Sequence, residues 1–391
     1  MHADPNSFIH PWRQMEGCFR LFVMEMALLF LMIVISGCTA SVRYTSLDLA
    51  LLPCEQGDSP IFFQAIEFGQ NGSPLFKQQV EDLHERFRNG PPVTDLVLFV
   101  HGWNKNPSSA ELDYQNFLCR LHGRLRGIIG DEKRRGGLLV LGVFWPSTIT
   151  NRAQEPLFMM PLSYYQIRDR ADTIANMGLA SLLSSLIPEI QFSRSGTPIR
   201  LHLIGHSFGG RMLVRSLERM QEQDKLVPFL QAAGTVNVVL ANAALSPDRF
   251  DWISKAIAVA KSHGVPGRFT DETASYLFNV HSLNDTANRV LFRLASVFND
   301  DPATCAAGAC GVPEFPTVCV DDSGKLQFGN ITPPQFGGDL NAWNVNATRI
   351  VFDHSDIYKG RVATLIANLL YDEADKKRFR MISNSASETA C

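Results

Sequence analysis

Leu201-His202-Leu203-Ile204-Gly205-His206-Ser207-Phe208-Gly209-Gly210-Arg211 is the stretch of this sequence that most constrains its fold. An apolar run of strand length leads into a Gly-x-Ser-x-Gly pattern, and residues with helical spacing follow it. Gly205 and Gly209 suit a tight turn, because a Cβ at either position would crowd the helix against the strand. Such a strand–turn–helix unit presents a serine hydroxyl above a sheet, as in a nucleophile elbow. The segment therefore predicts that Ser207 is a nucleophile at the end of a buried strand.

The same alternation of strand and helix recurs along the chain. Apolar runs of strand length are typical of strands buried on both faces of a parallel sheet, and amphipathic helical stretches lie between them. The predicted strands are 96–100, 138–144, 199–204, 236–240 and 276–280, and the predicted helices are 76–87, 109–125, 171–186, 208–222 and 286–297. This order predicts an α/β fold with a doubly wound, mostly parallel sheet that is flanked by helices.

One region interrupts the alternation. Residues 299–347 are rich in Gly, Pro, Asn and Asp and carry three cysteines. They predict a long, Cys-containing loop excursion from the sheet. A last strand at 350–352 and a closing helix at 356–371 are expected after it.

The partners of Ser207 follow from chain order, which in this kind of fold runs from serine to acid to histidine. Asp285 comes just past the second predicted strand after Ser207 and is the predicted acid. Asp248 follows the first such strand and is the alternative acid. His354 comes after the predicted last strand and is the predicted base, whereas His263 precedes the strand of the acid and is in the wrong order.

A serine nucleophile also needs an oxyanion hole, which is built here from two backbone amides. One amide belongs to the residue after the nucleophile, Phe208. The other should come from the loop that follows an earlier strand, where we assign it to Trp103, with Gly102 as the close alternative. His101, at the same strand end, is expected to lie beside the hole and is a weaker candidate for the base.

These motifs together resemble a bacterial α/β-hydrolase family of unknown function whose members look like serine esterases and lipases. The shared features are His101-Gly102-Trp103-Asn104, Phe144-Trp145-Pro146-Ser147, Gly205-His206-Ser207, Pro247-Asp248, Asn284-Asp285 and His354-Ser355. The resemblance covers roughly residues 93 to 370, and the Cys-containing run departs from it. It implies the α/β-hydrolase fold and the Ser207, Asp285 and His354 triad, but no particular substrate.

The N-terminus predicts export. Residues 26–35 form an unbroken apolar run, which is short for the roughly 20 residues that span a bilayer and suits the core of a signal peptide. Ile35-Ser36-Gly37-Cys38 follows and resembles the bacterial lipobox, in which the cysteine is lipidated. We therefore expect an exported lipoprotein that is anchored to the membrane through Cys38, at the bacterial outer membrane or facing the periplasm. A short transmembrane anchor or a buried helix is the alternative.

The domain organisation follows from these assignments. We expect a signal peptide at 1–37, lead-in strands and a helix at 38–92, the hydrolase domain at 93–378 and a disordered tail at 379–391. In an exported chain the clustered cysteines favour a disulfide over zinc. Cys305–Cys310 is the local pair, and Cys319 competes for it.

The composition is that of a globular protein, since 19% of its residues are charged. Its net charge of −3 does not provide the positive potential that nucleic-acid binding needs. The sequence therefore predicts a serine hydrolase that cleaves a small-molecule or lipid-like ester, or a related acyl substrate, through an acyl-enzyme. Neither a metal nor an organic cofactor is required. The alternatives are an acyltransferase with the same triad and a noncatalytic surface-binding lipoprotein.

Overall fold

The structure, a computed structural model, describes residues 62–105, 107–129, 137–149, 160–191, 198–262, 275–293, 305–332, 341–372, 375 and 378–379. Within them, one nine-stranded sheet has the strand order β1-β3-β2-β4-β5-β6-β9-β7-β8. Its strands are β1 (Phe62–Glu67), β2 (Val93–Val100), β3 (Gly137–Phe144), β4 (Arg200–His206), β5 (Thr235–Ala241), β6 (Tyr276–His281), β7 (Thr317–Val320), β8 (Leu326–Thr332) and β9 (Ala342–Asn346). Neighbouring strands are parallel except for the antiparallel β7–β8 pair.

Helices connect most of the strands. They are α1 (Lys77–Asn89), α2 (Pro107–Ile129), α3 (Met160–Ile174), α4 (Ala180–Ser185), α5 (Ile187–Gln191), α6 (Phe208–Glu222), α7 (Leu226–Ala232), α8 (Asp251–Ser262), α9 (Ala307–Cys310) and α10 (Gly360–Tyr371). A π-helix, Ala175–Leu179, joins α3 to α4, and another spans Ala287–Leu291. Short 3-10 turns lie at Pro247–Arg249 and Asp356–Tyr358.

The sheet has a hydrophobic core on each face. Leu96, Leu98 and Val100 of β2 belong to a core with α3 to α8, whereas Val97 and Phe99 belong to a second core with α2 and α10. Successive side chains of a strand point to opposite faces, so a continuously apolar strand supplies both cores. The predicted α/β class, with a mostly parallel sheet and flanking helices, is confirmed.

One helical run in the described residues, Tyr164–Gln191, is long and apolar enough to cross a membrane. Half of its apolar window is buried within the protein, as expected of a core helix. The predicted signal run at 26–35 and Cys38 lie outside the described residues.

The Cys-containing run differs from its prediction. Part of it returns to the sheet as β7, β8 and β9, so the expectation of a loop excursion from the sheet is wrong. Burial alternates along β7, which leaves only a short apolar pattern between polar and proline residues. The strand predicted at 350–352 is also wrong. The amides of Ile350 and Val351 both donate to the Ala347 carbonyl oxygen at 2.9 Å, which closes a turn instead.

The ends of the described fold extend beyond the predicted domain. β1 pairs in parallel with β3, so the lead-in residues from Phe62 onward belong to the same sheet. Phe379, which the prediction gave to the tail, is buried and packs on Trp343 with 4.8 Å between ring centroids. Residues 380–391 lie outside the described residues.

Candidate active site

Ser207 lies at the sharp turn between β4 and α6. Its backbone has φ 55° and ψ −120°, a conformation that is strained for any residue with a Cβ. The turn is possible because two glycines leave room for it: a Cβ on Gly205 would lie 2.6 Å from Gly210 Cα, and one on Gly209 would collide with the carbonyl oxygen of Val100. The Ser207 hydroxyl thus stands at the carboxyl end of the parallel strands, as the sequence predicted.

His354 reaches Ser207 from the loop between β9 and α10. Its Nε2 lies 2.7 Å from Ser207 Oγ, and its Nδ1 lies 2.8 Å from Asp285 Oδ2. A carboxylate accepts hydrogen bonds, so the Nδ1 proton is donated to Asp285. Nε2 of the neutral ring then carries the lone pair that can accept the Ser207 proton. The three side chains therefore form one continuous hydrogen-bonded relay.

Asp285 is fully buried in the loop after β6, where Asn288 holds its carboxylate. The Asn288 backbone amide donates to Oδ1 at 3.0 Å, and its Nδ2 donates to Oδ2 at 2.9 Å. The same Nδ2 donates to the Asn242 carbonyl oxygen at 2.6 Å, which ties the acid to the end of β5. Asp248, the alternative acid, lies exposed in the 3-10 turn Pro247–Arg249, and no hydrogen bond joins it to His354 in the part of the chain described here.

Trp103 and Phe208 lie against each other beside Ser207. Their rings meet edge to face with centroids 5.9 Å apart, and Phe208 is the first residue of α6, where backbone amides lack helical partners. Gly102 approaches closely, since a Cβ there would lie 2.9 Å from Ser207 Cβ. Burial raises the pKa of Tyr358 well above its usual value, and a backbone hydrogen bond from Gly102 opposes that rise. The assignment of the second amide to Trp103, with Gly102 as the alternative, stays a prediction.

His206 and Tyr358 hold the loop that carries His354. His206 Nε2 donates to the His354 carbonyl oxygen at 2.8 Å, so its Nδ1 accepts from the Tyr358 hydroxyl at 3.2 Å. Asn242 Nδ2 donates to the same carbonyl at 3.3 Å. Burial, and then the nearby His354, lowers the pKa of His206 well below its usual value, which keeps the ring neutral for this bonding pattern. His206 lies within the motif that predicts the nucleophile, but nothing in that motif predicts this role. Asn242, Asn288 and Tyr358 could not be predicted, because no local motif marks them.

Two further contacts fix the same loop. Asp356 Oδ2 accepts from the backbone amides of Phe352 and Asp353 at 2.9 and 3.1 Å. Ser282 Oγ donates to the Val351 carbonyl oxygen at 2.7 Å, which joins the loop of the acid to the loop of the base. The relay therefore rests on two loops that are bonded to each other.

His101, the weaker candidate for the base, is fully buried away from this relay. Its Nδ1 bonds to the Gly102 carbonyl oxygen at 2.8 Å, and its ring stacks on Trp145 at 5.7 Å between centroids. Burial lowers the pKa of His101 to about 3, so the ring is neutral. His263, the other histidine considered, lies outside the described residues. Among the residues described, no group of His, Cys, Asp or Glu side chains forms a candidate metal site.

The Cys-containing segment is hydrogen-bonded to two of the loops that form the site. Cys305 and Cys310 form a disulfide with their Cα atoms 6.1 Å apart, and Cys119 and Cys319 are also disulfide-bonded, so Cys319 does not displace the local pair. Within this loop, the Gly308 amide donates to the Ala243 carbonyl oxygen at 3.1 Å, and the Gly308 carbonyl accepts from the Ser282 amide at 3.1 Å. Gly308 is thus wedged between the loop after β5 and the loop after β6.

Comparison with known proteins adds no family: no protein-family model matches the chain, and a search of curated proteins found no match. The resemblance to an α/β-hydrolase family therefore stays a prediction, and the interpretation of the site depends on its residues.

Removal of the disulfide should loosen the loop of the acid. In a Cys305→Ser/Cys310→Ser variant we expect the free energy of unfolding to fall by about 2 kcal/mol, the loop-closure value for so short a ring. Hydrogen exchange should quicken in peptides that cover 282–285, because the Ser282 amide donates into this loop, while peptides from β4 serve as the internal control. Unchanged exchange at 282–285 would show that the position of Gly308 between the two loops does not depend on the disulfide.

Proposed function

We propose that this chain is a serine hydrolase of the α/β-hydrolase type, which cleaves an ester or a related acyl substrate. The observation that supports it most is the unbroken relay from Ser207 Oγ through His354, at 2.7 Å, to Asp285, at 2.8 Å. Each member comes from the carboxyl end of a different strand or from the loop after one, in the order serine, acid, histidine that this type of enzyme uses.

In the proposed mechanism, His354 Nε2 takes the Ser207 proton as the hydroxyl attacks the acyl carbon. Asp285 holds the ring in the tautomer with the proton on Nδ1 and stabilises the imidazolium that forms. The backbone amides of Trp103 and Phe208 are assigned to the oxyanion of the tetrahedral intermediate. His354 then donates this proton to the oxygen of the leaving alcohol. Water attacks the acyl-enzyme in the same way, with His354 again as the base, and Ser207 is released with its proton.

The strained turn argues for catalysis rather than for binding alone. A non-glycine residue at φ 55° carries a cost of about 1–3 kcal/mol, and such residues persist where function needs their geometry. A noncatalytic surface protein would have no use for a strained serine that is also bonded to a buried histidine–aspartate pair. Acyl transfer uses the same relay with an alcohol as acceptor, and it remains the alternative within this proposal.

We also propose that the chain is exported as a lipoprotein through Cys38. Cys119, Cys305, Cys310 and Cys319 are all disulfide-bonded, and structural disulfides persist mainly in oxidising compartments such as the periplasm. An anchored enzyme at that location would meet lipid-like or small-molecule acyl substrates.

Substitutions in the relay test the proposed hydrolysis. Ser207→Ala should lower the turnover of short p-nitrophenyl esters by roughly 10⁴-fold or more, since it removes the nucleophile. Asp285→Asn should cost roughly 10⁴-fold, because an amide keeps the shape of the carboxylate but favours the wrong histidine tautomer.

Asp248→Asn is the matched control for the acid. It makes the same chemical change at an exposed turn and should leave turnover close to wild type. Equal turnover in wild type and Ser207→Ala would refute the proposal, whereas a crippled Asp248→Asn beside an active Asp285→Asn would assign the acid to Asp248.

Replacement of Cys38 tests the proposed anchor. Cys38→Ala should move the protein from the membrane fraction to the soluble fraction or leave it unprocessed, because no thiol remains to carry lipid. Cell fractionation and radiolabelled fatty-acid incorporation measure the shift. A wild-type chain that stays in the cytoplasm and takes up no lipid would contradict the lipoprotein assignment.

A further inference from the structure

A cationic cleft lies on the face of the sheet that α2 and α10 cover. It has a volume of about 690 Å³, and of its ten lining residues four are cationic while none is acidic. The cations are Arg120, Arg124, Lys359 and Arg361. This concentration stands out in a chain whose net charge is −3.

The arginines of the cleft are held in place without being neutralised. Arg120 Nη1 donates to the Tyr358 carbonyl oxygen at 2.8 Å, and Arg124 Nε donates to Thr364 Oγ1 at 2.9 Å. Both acceptors are uncharged, and no ion pair joins a carboxylate to Arg120, Arg124 or Arg361 among the described residues. Lys359 differs from them, because its Nζ pairs with Asp356 Oδ1 at 2.6 Å. In the described part of the chain the three guanidinium groups make no other hydrogen bond, and a planar guanidinium suits phosphate oxygens.

The start of α10 adds to the positive potential of the cleft. Lys359 precedes this 12-residue helix and makes no side-chain capping hydrogen bond, so the first backbone amides lack that partner. Apart from its chain neighbours and the backbone of its own helix, no described atom lies within 4 Å of where a Cβ on Gly360 would be. The dipole of the helix favours an anion at this end.

Exposed apolar side chains lie on the loop that lines the cleft and on the loop bonded to it. Phe352 lines the cleft and is 63% exposed. Leu283 is 49% exposed on the neighbouring loop, where its amide donates to Thr348 Oγ1 at 3.0 Å and so joins the two loops. Large apolar side chains beside a cluster of arginines are the composition that binds the interface of an anionic lipid bilayer.

We propose that this cleft binds the phosphate groups of anionic phospholipids at a membrane surface, with Phe352 and Leu283 entering the headgroup layer. The contact lies on the segment that carries His354, two residues beyond Phe352, so docking would bring the candidate active site to the lipid. Binding does not depend on the proposed hydrolysis, and the two are measured separately.

The test is sedimentation of the full chain, carrying Cys38→Ser so that no lipid anchor forms, with vesicles. One set contains phosphatidylcholine alone, and the other contains phosphatidylcholine with phosphatidylglycerol. We expect preference for the phosphatidylglycerol vesicles, which weakens as ionic strength rises. Arg124→Gln/Arg361→Gln should weaken that binding roughly 10- to 30-fold. Phe352→Ser should weaken binding to the same vesicles as well.

Arg219→Gln/Lys225→Gln is the matched control, because it removes the same charge from α6 and the turn after it, on the opposite face of the sheet. It should bind phosphatidylglycerol vesicles as the parent chain does, and the apolar N-terminal run is present in every arm. Hydrolysis of a soluble ester should be equal in both double variants, so loss of binding with intact hydrolysis separates the two proposals.

Equal binding by the Arg124→Gln/Arg361→Gln variant and the parent chain, or equal binding of the parent to both vesicle types, would overturn the inference. Binding of inorganic phosphate by the parent chain, together with no binding to either vesicle type, would also overturn it, in favour of a free phosphate ligand.

Discussion

The close approach of the β4–α6 turn to the end of β2 is the constraint on which the candidate site depends. Gly209 lies so near the backbone of Val100 that no side chain fits between them. This contact lets α6 begin directly after Ser207 and fixes that serine at φ 55°. It also brings Gly102 against Ser207, so one packing contact sets the nucleophile and the neighbouring backbone amides in position together. Strain at the serine is sustained because the surrounding backbone leaves no alternative.

The other two members of the proposed relay, His354 and Asp285, are held in position relative to Ser207. His354 lies on a loop without regular structure, and His206, the residue before the serine, helps to hold it by donating to its carbonyl oxygen at 2.8 Å. Tyr358 and Asn242 complete this clamp. The base is thus positioned by the same turn that carries the nucleophile, which explains how a loop can hold hydrogen-bond distances in the relay. The disulfide-closed segment around Gly308 supplies the corresponding support for the acid.

Much of this arrangement could be predicted from the sequence because its signals are local. The Gly205-x-Ser207-x-Gly209 turn, the apolar strands and the order of Asp285 and His354 each follow from neighbouring residues. The supports are different, since His206 bonds to a residue 148 positions away and Asn288 bonds to the distant Asn242. β7 was missed because its buried residues alternate over only four positions, and the turn at Ile350 looked like a strand because its residues are apolar. Tertiary contacts, rather than propensity, decide these elements.

A covalent label on the serine tests the central claim most directly. After treatment of the folded protein with a fluorophosphonate, peptide mass spectrometry should find one phosphonyl adduct, on the peptide that contains Ser207. In a His354→Ala variant the adduct should form far more slowly, because no base activates the hydroxyl. Absence of any adduct on the folded wild-type protein, or an adduct on another residue with Ser207 unmodified, would contradict the account.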